Sequence, residues 1–328
     1  MSQKIFVIFL FIIVFICPLS FAETNIIPPP AEDINESASK GVINQIKKIT
    51  ANQEKKSTVS AEEKEESTKS KHEAESYFTF LPSSGAKSAN GSISLVESGF
   101  NYSYEFKAFG QLPITLSLGS EYIGIDNSNA SLDLPSHLTS FTTGLEFILP
   151  FFNIDKTYIS SGIEPSFFTD DWNFDSSSFR IPFNSFLIHK PNDKLTIIGG
   201  IAVFPDFKEK IYPVFGFIYK PNKQWIFNIT SESPSIVYSP NKKWSFFGEI
   251  RTPLGSEFEV TRQDRSHVVL MYNDTRIGGG VTYNFNKFIS TTLSMGGAFG
   301  RYFKYRDEDG KVSLDNGLYG KFAIDVQM

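Results

Sequence analysis

The sequence predicts an all-β protein: an antiparallel transmembrane β-barrel of about 14 strands, within a range of about 12–16, preceded by a signal peptide and a mostly disordered tail. Three observations predict it. From Ser92 to Met328 the chain keeps returning to short runs in which every second residue is apolar or aromatic, a period of two that gives a strand one greasy face and one wet face. No later stretch approaches the roughly 18–20 consecutive apolar residues of a membrane-spanning helix, whereas a barrel strand needs only about 9–11 residues. The front of the chain carries a secretory signal, which sets the greasy face against lipid and the wet face around a lumen.

That signal occupies residues 1–22. Lys4 supplies a positive n-region, Ile5 to Ile16 is unbroken apolar sequence, and Ser20-Phe21-Ala22 puts small residues at the minus-three and minus-one positions, so cleavage is expected after Ala22. The single cysteine, Cys17, lies inside this segment, and Ile16 before it is too bulky for a lipoprotein cleavage box. The mature chain then holds no cysteine, which excludes a disulfide scaffold and cysteine metal sites.

Residues 23–76 lack Phe, Tyr and Trp and are rich in Ser, Lys, Glu and Asn. The run Pro28-Pro29-Pro30 disfavours helix and sheet ladder alike. Val42, Ile43, Ile46 and Ile49 form a short amphipathic stripe that fades into solvated charge. The segment therefore reads as a disordered or partly helical periplasmic extension, with residues 42–76 as the part that would meet a periplasmic partner.

Aromatics become dense from Tyr77 onward, so the barrel is assigned to residues 77–328. Three near-copies punctuate it: Lys190-Pro191-Asn192-Asp193, Lys220-Pro221-Asn222-Lys223 and Ser239-Pro240-Asn241-Lys242. Pro fixes φ near −65° and Asn tolerates a left-handed conformation, so each reads as a tight hairpin. The connections at Asp126–His137, Thr169–Ser178 and Tyr305–Asn316 are longer and more polar. Short periplasmic turns and long external loops are the bacterial habit, which places the protein in the bacterial outer membrane with both termini periplasmic. Glu257 to Tyr272 reads either as a spanning pair or as an external hairpin.

Charge parity tests this arrangement. Glu121, Glu146, Glu164, Arg180, Glu249, Arg251, Arg276, Lys321 and Asp325 each fall on the strand face opposite the apolar residues of their run, and are the candidate lumen-lining residues. Arg or Lys on the lipid face near mid-membrane costs about 2–4 kcal/mol, so their exclusion is expected. Their roles divide between bracing the strands as internal ion pairs and biasing which solutes pass. Arg301 shares parity with Leu293 and Phe299 and is expected to snorkel to the interface. Tyr122, Phe151, Phe152, Trp225, Tyr238, Trp244 and Tyr302 suit interfacial girdles.

Chemistry-bearing patterns are sparse, and no catalytic, cofactor or metal site is assigned. His72, His137, His189 and His267 are scattered without ligand spacing. Ser266 and His267 are adjacent, so on a strand they point to opposite faces and cannot form an activated pair. Asp170-Asp171 reads as solvated loop, and Asp307-Glu308-Asp309-Gly310 lacks the full spacing of a calcium loop. Gly278-Gly279-Gly280 is followed by no helix and is no phosphate cradle. With a net charge of −5 and no basic stripe outside the tail, the chain offers nothing to nucleic acid.

Pro205-Asp206, then Tyr212-Pro213-Val214-Phe215-Gly216-Phe217-Ile218-Tyr219-Lys220-Pro221-Asn222-Lys223-Gln224-Trp225, then Ser233-Pro234-Ser235-Ile236-Val237-Tyr238, together with Tyr272-Asn273-Asp274-Thr275-Arg276-Ile277-Gly278, resemble an uncharacterised bacterial outer-membrane β-barrel family, domain of unknown function 6268. The resemblance implies fold and location and brings no catalytic residues. Outer-membrane lipid and the barrel assembly machinery are the partners expected of such a chain. The expected function is that of a passive channel or small-solute transporter. The alternative is a closed structural or adhesive barrel.

Overall fold

The computed structural model describes residues 71–328 except 88–89, 109–111, 129–131, 153, 172–175, 206, 209, 252–255, 263–266 and 309. The signal segment and residues 23–70 of the extension lie outside the described residues. Every regular element among those described is a strand, and they comprise β1 (Lys71–Gly85), β2 (Ser92–Ala108), β3 (Leu112–Asn127), β4 (His137–Pro150), β5 (Thr157–Ile163), β6 (Ser166–Thr169), β7 (Phe179–Arg180), β8 (Phe183–Asn192) and β9 (Leu195–Val203). The series continues with β10 (Ile211–Tyr219), β11 (Trp225–Thr230), β12 (Ser235–Tyr238), β13 (Trp244–Arg251), β14 (Ser256–Val260), β15 (Val268–Asn284), β16 (Ile289–Tyr305), β17 (Lys311–Ser313) and β18 (Gly317–Gln327).

Four spanning strands are each broken into two segments: β5/β6, β7/β8, β13/β14 and β17/β18. Both halves of each pair against the same neighbour, β4 holding β5 and β6, and β15 holding β13 and β14. The result is 14 spanning strands. Two of the breaks fall at Pro165 and Pro182, which cannot donate to the ladder. The barrel closes because β1 pairs with both β2 and β18, Phe78 facing Ser98 on one side and Phe322 on the other.

The first strand starts at Lys71 rather than near Tyr77, with Glu73 opposite Gln327 and Ser103. The missing aromatics that set the sequence boundary mark where the strand meets lipid. Its polar end adds side-chain contacts to the backbone pairing, His72 Nδ1 standing 2.7 Å from Tyr102 Oη.

One rim carries both ends of the described chain, His72 and Met328 exchanging backbone hydrogen bonds of 2.9 and 2.8 Å. The Pro-Asn turns lie on this terminal rim. Their asparagines are not left-handed, since positive φ among the described non-glycine residues occurs at Asp133, Phe152, Lys156 and His267. They act through the side chain: Asn222 Oδ1 accepts from the N–H of Gln224 and Trp225 at 2.9 and 3.1 Å, and Asn241 Oδ1 from Lys243 and Trp244 at 2.8 and 3.0 Å. Such Asx turns replace backbone partners that a tight hairpin leaves unmet. Asn286 repeats the device without a proline, accepting from Phe288 and Ile289.

Around the middle of the wall the outward residues are greasy. Leu116, Leu118, Phe141, Leu145, Phe217, Leu293 and Phe322 are between 40% and 61% exposed, a belt that only a lipid environment satisfies. Near the terminal rim Trp225 packs against Tyr238 and Trp244 against Tyr283, tilted rings with centroids 4.6 Å apart in each pair, forming an aromatic girdle. A groove of about 470 Å³ between Leu195, Ile197, Phe217 and Tyr219 belongs to this outward surface.

Toward the opposite, loop rim the same strands invert. Ile93, Leu95, Ile123 and Ile125 point inward and are buried, while Ser94 and Asp126 point outward. There the barrel is built like a water-soluble one, grease inside. Phe168, Phe258, Leu270, Phe303 and Leu314 join the same inner cluster. A second closure accompanies this inversion: Thr169 of β6 pairs directly with Glu259 of β14 in parallel, and Asp170 N–H donates to Glu259 O at 3.1 Å. This seam closes a smaller ring of β14, β15, β16, β17, β1, β2, β3, β4 and β6, with β17 tied to β1 at Ala86–Leu314. The short strands β8 to β12 take no part in that ring. Their loop-rim connections turn inward, burying Phe204, Phe207, Glu232 and Ser233. The ambiguous stretch Glu257–Tyr272 is thus a hairpin at the loop rim, β14 prolonging β13.

Candidate pore interior

The inward face below the apolar cluster is polar. Thr282 Oγ1 meets Thr292 Oγ1 at 2.9 Å and Ser290 donates to Asp325 at 3.4 Å. Strand alternation puts these hydroxyls opposite the lipid belt.

Each sequence-predicted residue has a definite place. Glu121 is buried and accepts from Tyr77 Oη at 2.5 Å, and Glu146 accepts from Ser160 Oγ at 2.8 Å. Arg180 is buried and donates to the Phe179 carbonyl at 2.9 Å and to that of Ser177. Glu249 and Arg251 approach to 3.5 Å on one strand. Lys321 lies 3.8 Å from Glu75 and 4.7 Å from the Tyr77 ring. Glu164 occupies the break between β5 and β6, its N–H donating to Pro182 O at 2.8 Å.

Arg276 organises the densest group. Its Nη1 donates to Glu97 at 2.7 Å, its Nη2 to the other Glu97 oxygen, and its Nε to Asp274 at 2.9 Å. Tyr272 Oη donates to the same Asp274 oxygen at 2.8 Å. Glu97 stands on β2 and Arg276 on β15, which are not neighbours in the sheet. The ion pair therefore crosses the interior and lies directly under the apolar cluster.

Arg301 corrects the parity argument. It is 1% exposed and donates to Ser84 Oγ at 2.7 Å, so it points inward and does not snorkel. The register explains it: Asn273 faces Tyr302 and Thr275 faces Phe299, leaving Gly300 and Arg301 opposite Asp274 alone. Gly300 has φ of +61°, the left-handed residue of a G1-type β-bulge, which adds one residue and flips the parity beyond it. Tyr302 is likewise no girdle residue. It is buried beside Asn273 and beneath Lys311, whose Nζ is 5.0 Å from its ring.

Sequence reasoning missed Glu97, Asp274 and Glu232. Glu97 shares a face with Ile93 and Leu95, so opposition to grease could not find it. Glu232 sits in the β11–β12 turn, where no periodicity operates.

Across the loop rim, side chains tie separate loops together. Arg262 reaches Asp133 and Glu308, its guanidinium lies 4.3 Å from the Tyr305 ring, and Tyr305 Oη donates to Asp133 O at 2.6 Å. Glu257 accepts the N–H of Lys208 at 2.7 Å and pairs with Arg306. Asp170 takes the Thr261 N–H at 3.1 Å and Asp171 the Thr169 hydroxyl at 2.9 Å, so both carboxylates fasten loops. Ser177, Glu259 and His267 converge, Ser177 Oγ standing 2.6 Å from Glu259 and 2.9 Å from His267 Nδ1. Glu259 contacts that same Nδ1. A relay needs the carboxylate and the nucleophile on opposite ring nitrogens, so this trio braces the rim. Ser266 and Asp309 lie outside the described residues.

Among solved structures, a Pseudomonas aeruginosa FadL homologue is similar at 10% identity, covering 79% of this chain and 90% of that one with a TM-score of 0.43. An outer membrane channel from Pseudomonas putida F1 is similar at 8% identity, covering 79% and 95%, TM-score 0.42. The translocator domain of the autotransporter NalP from Neisseria meningitidis is similar at 10% identity, covering 90% and 99%, TM-score 0.35. No curated protein matches the chain. The family model described as a domain of unknown function, DUF6268, matches residues 112–324, and this outer-membrane-type β-barrel belongs to that family.

Proposed function

We propose that the protein is an outer-membrane channel for small solutes, with the loop rim outside the cell and both termini in the periplasm. The observation that carries this reading is the two-part interior: a wall of hydroxyls and charges on the terminal side, capped on the loop side by an apolar cluster. A 14-strand circumference encloses more space than the roughly eight strands whose side chains fill a barrel, so the terminal half forms a wet vestibule and the cap acts as its gate. Solutes would diffuse through the vestibule past Glu121, Glu146, Glu164, Arg180, Glu249, Arg251, Arg276, Lys321 and Asp325 once the loops tied by Arg262 part.

A closed structural barrel is the second reading. The Arg276–Glu97 pair crossing the interior and the seam of β6 with β14 favour it. Conductance of the purified, refolded chain in a planar bilayer separates the two. Discrete steps are expected from a channel, and silence from protein shown to be folded overturns the channel reading.

A further inference from the structure

The terminal rim carries an arc of lysines. Lys190 N–H donates to Lys156 O at 2.9 Å and Lys220 N–H to Lys194 O at 2.7 Å, so the ladders of β5 with β8 and of β9 with β10 each end on a pair of lysines. Parity turns both pairs toward the mouth. Leu195 and Tyr219, the last registered pair of β9 and β10, line the outward groove, and the next position falls on the inner face. Ile159 stands opposite the exposed Leu187, which puts Lys156 and Lys190, three positions on, on the inner face too. Lys243 accepts the Asn284 N–H at 2.8 Å and follows the same rule beside the outward Trp244. Asp155 and Asp193 are the two carboxylates on these turns, and like charges set directly opposite each other repel.

The strands that close the barrel carry the opposite sign. Glu75 stands opposite Asp325 and Glu105 opposite Lys71, with Glu73 on the same strand face as Glu75. Lys71 and Lys321 answer part of this charge through Glu73 and Glu75. In the ring of 14 spanning strands β10 lies half-way round from β1. The arc around Lys194 and Lys220 therefore faces the point where Lys71 enters the wall.

Shortly before that point the sequence reads Glu62-Glu63-Lys64-Glu65-Glu66, four carboxylates against one lysine. The run lies five to nine positions before Lys71, an extended reach of about 17–30 Å. Fourteen tilted strands about 4.8 Å apart enclose a ring about 28 Å across. The reach matches the width of the mouth, with carboxylates beside the root of the run and lysines on the far side.

We propose that residues 62–66 dock on the lysine arc and lie across the terminal mouth as an intrachain plug. The attraction acts between exposed groups, so salt weakens it. The contact goes beyond the channel reading and does not depend on whether the barrel conducts.

The test is disulfide trapping in the chain of residues 23–328, which contains no cysteine. Ala61→Cys, next to the run, is paired either with Gln224→Cys on the far arc or with Gln327→Cys beside β1, both exposed and uncharged positions. At 0.1 M salt, oxidation should link A61C to Q224C about tenfold faster than to Q327C, the bias that three exposed ion pairs supply together. The bias should vanish at 1 M salt, where the screening length falls to about 3 Å. It should vanish also in K190Q/K194Q/K220Q/K223Q and in E62Q/E63Q/E65Q/E66Q, the second of which leaves the barrel sequence untouched. Equal rates at low salt, or a bias toward Q327C, overturns the docking. A Q224C bias that survives 1 M salt or either set of neutral variants overturns it as well. Because the readout is a covalent bond, a folded barrel that conducts nothing sinks the channel reading and leaves the docking standing.

Discussion

Replacing Arg276 by methionine probes the largest buried charge group in the barrel. Glu97 and Asp274 are each 1% exposed and Arg276 is 2% exposed, so water cannot take over when the guanidinium is removed. Breaking a buried pair from one side costs about 3–5 kcal/mol, a shift of about a hundredfold or more in the folding equilibrium. The companion variant E97Q/R276M removes the cross-barrel pair from both sides while Asp274 stays opposite Arg301, and it should recover much of the loss. Urea unfolding in lipid vesicles, followed by tryptophan emission, measures both. A loss below about 1 kcal/mol in R276M would refute the reasoning, because it would mean that water reaches Glu97 or that Arg301 replaces Arg276.

Gly300→Val should destabilise by about 1–2 kcal/mol, the penalty for a bulky left-handed residue, while Gly300→Asn should cost less. Nothing lies within 4 Å of a Cβ built there, so equal losses from the two variants in the same urea titration would disprove a backbone cause. Leu118→Arg on the lipid face should cost about 2–4 kcal/mol, and Ser117→Arg, one position away on the inner face, much less. Vesicle refolding yields compare them. Arg262→Ala cuts the tie between the loops of Asp133 and Glu308, so limited proteolysis near residues 306–310 should accelerate. An unchanged cleavage rate would show that the other rim contacts hold the loops by themselves.

Much of the fold was legible in local pattern. Alternation located the strands because the pleat sends successive side chains to opposite faces, whatever those faces meet. The three Pro-Asn turns placed one rim because their chemistry is local, although the asparagines work by accepting N–H groups and not by left-handed backbone. Parity set Glu121, Glu146 and Arg276 opposite the apolar residues of their strands, where all three are buried, as expected where a lipid-facing charge is costly.

Alternation has a period but no sign, and this is where the tertiary structure decides. Ile93 and Leu95 alternate with serines as regularly as Leu116 and Leu118 do with small polar residues, yet the first pair is buried inside and the second faces lipid. The bulge at Gly300 shifts the phase by one residue and carries Arg301 inward, and only the register against β15 shows it. The seam joining Thr169 to Glu259, and the Glu97–Arg276 pair across the interior, bring together residues about 90 and 179 positions apart. Such contacts follow from how the sheet curls shut, which no stretch of the sequence carries alone.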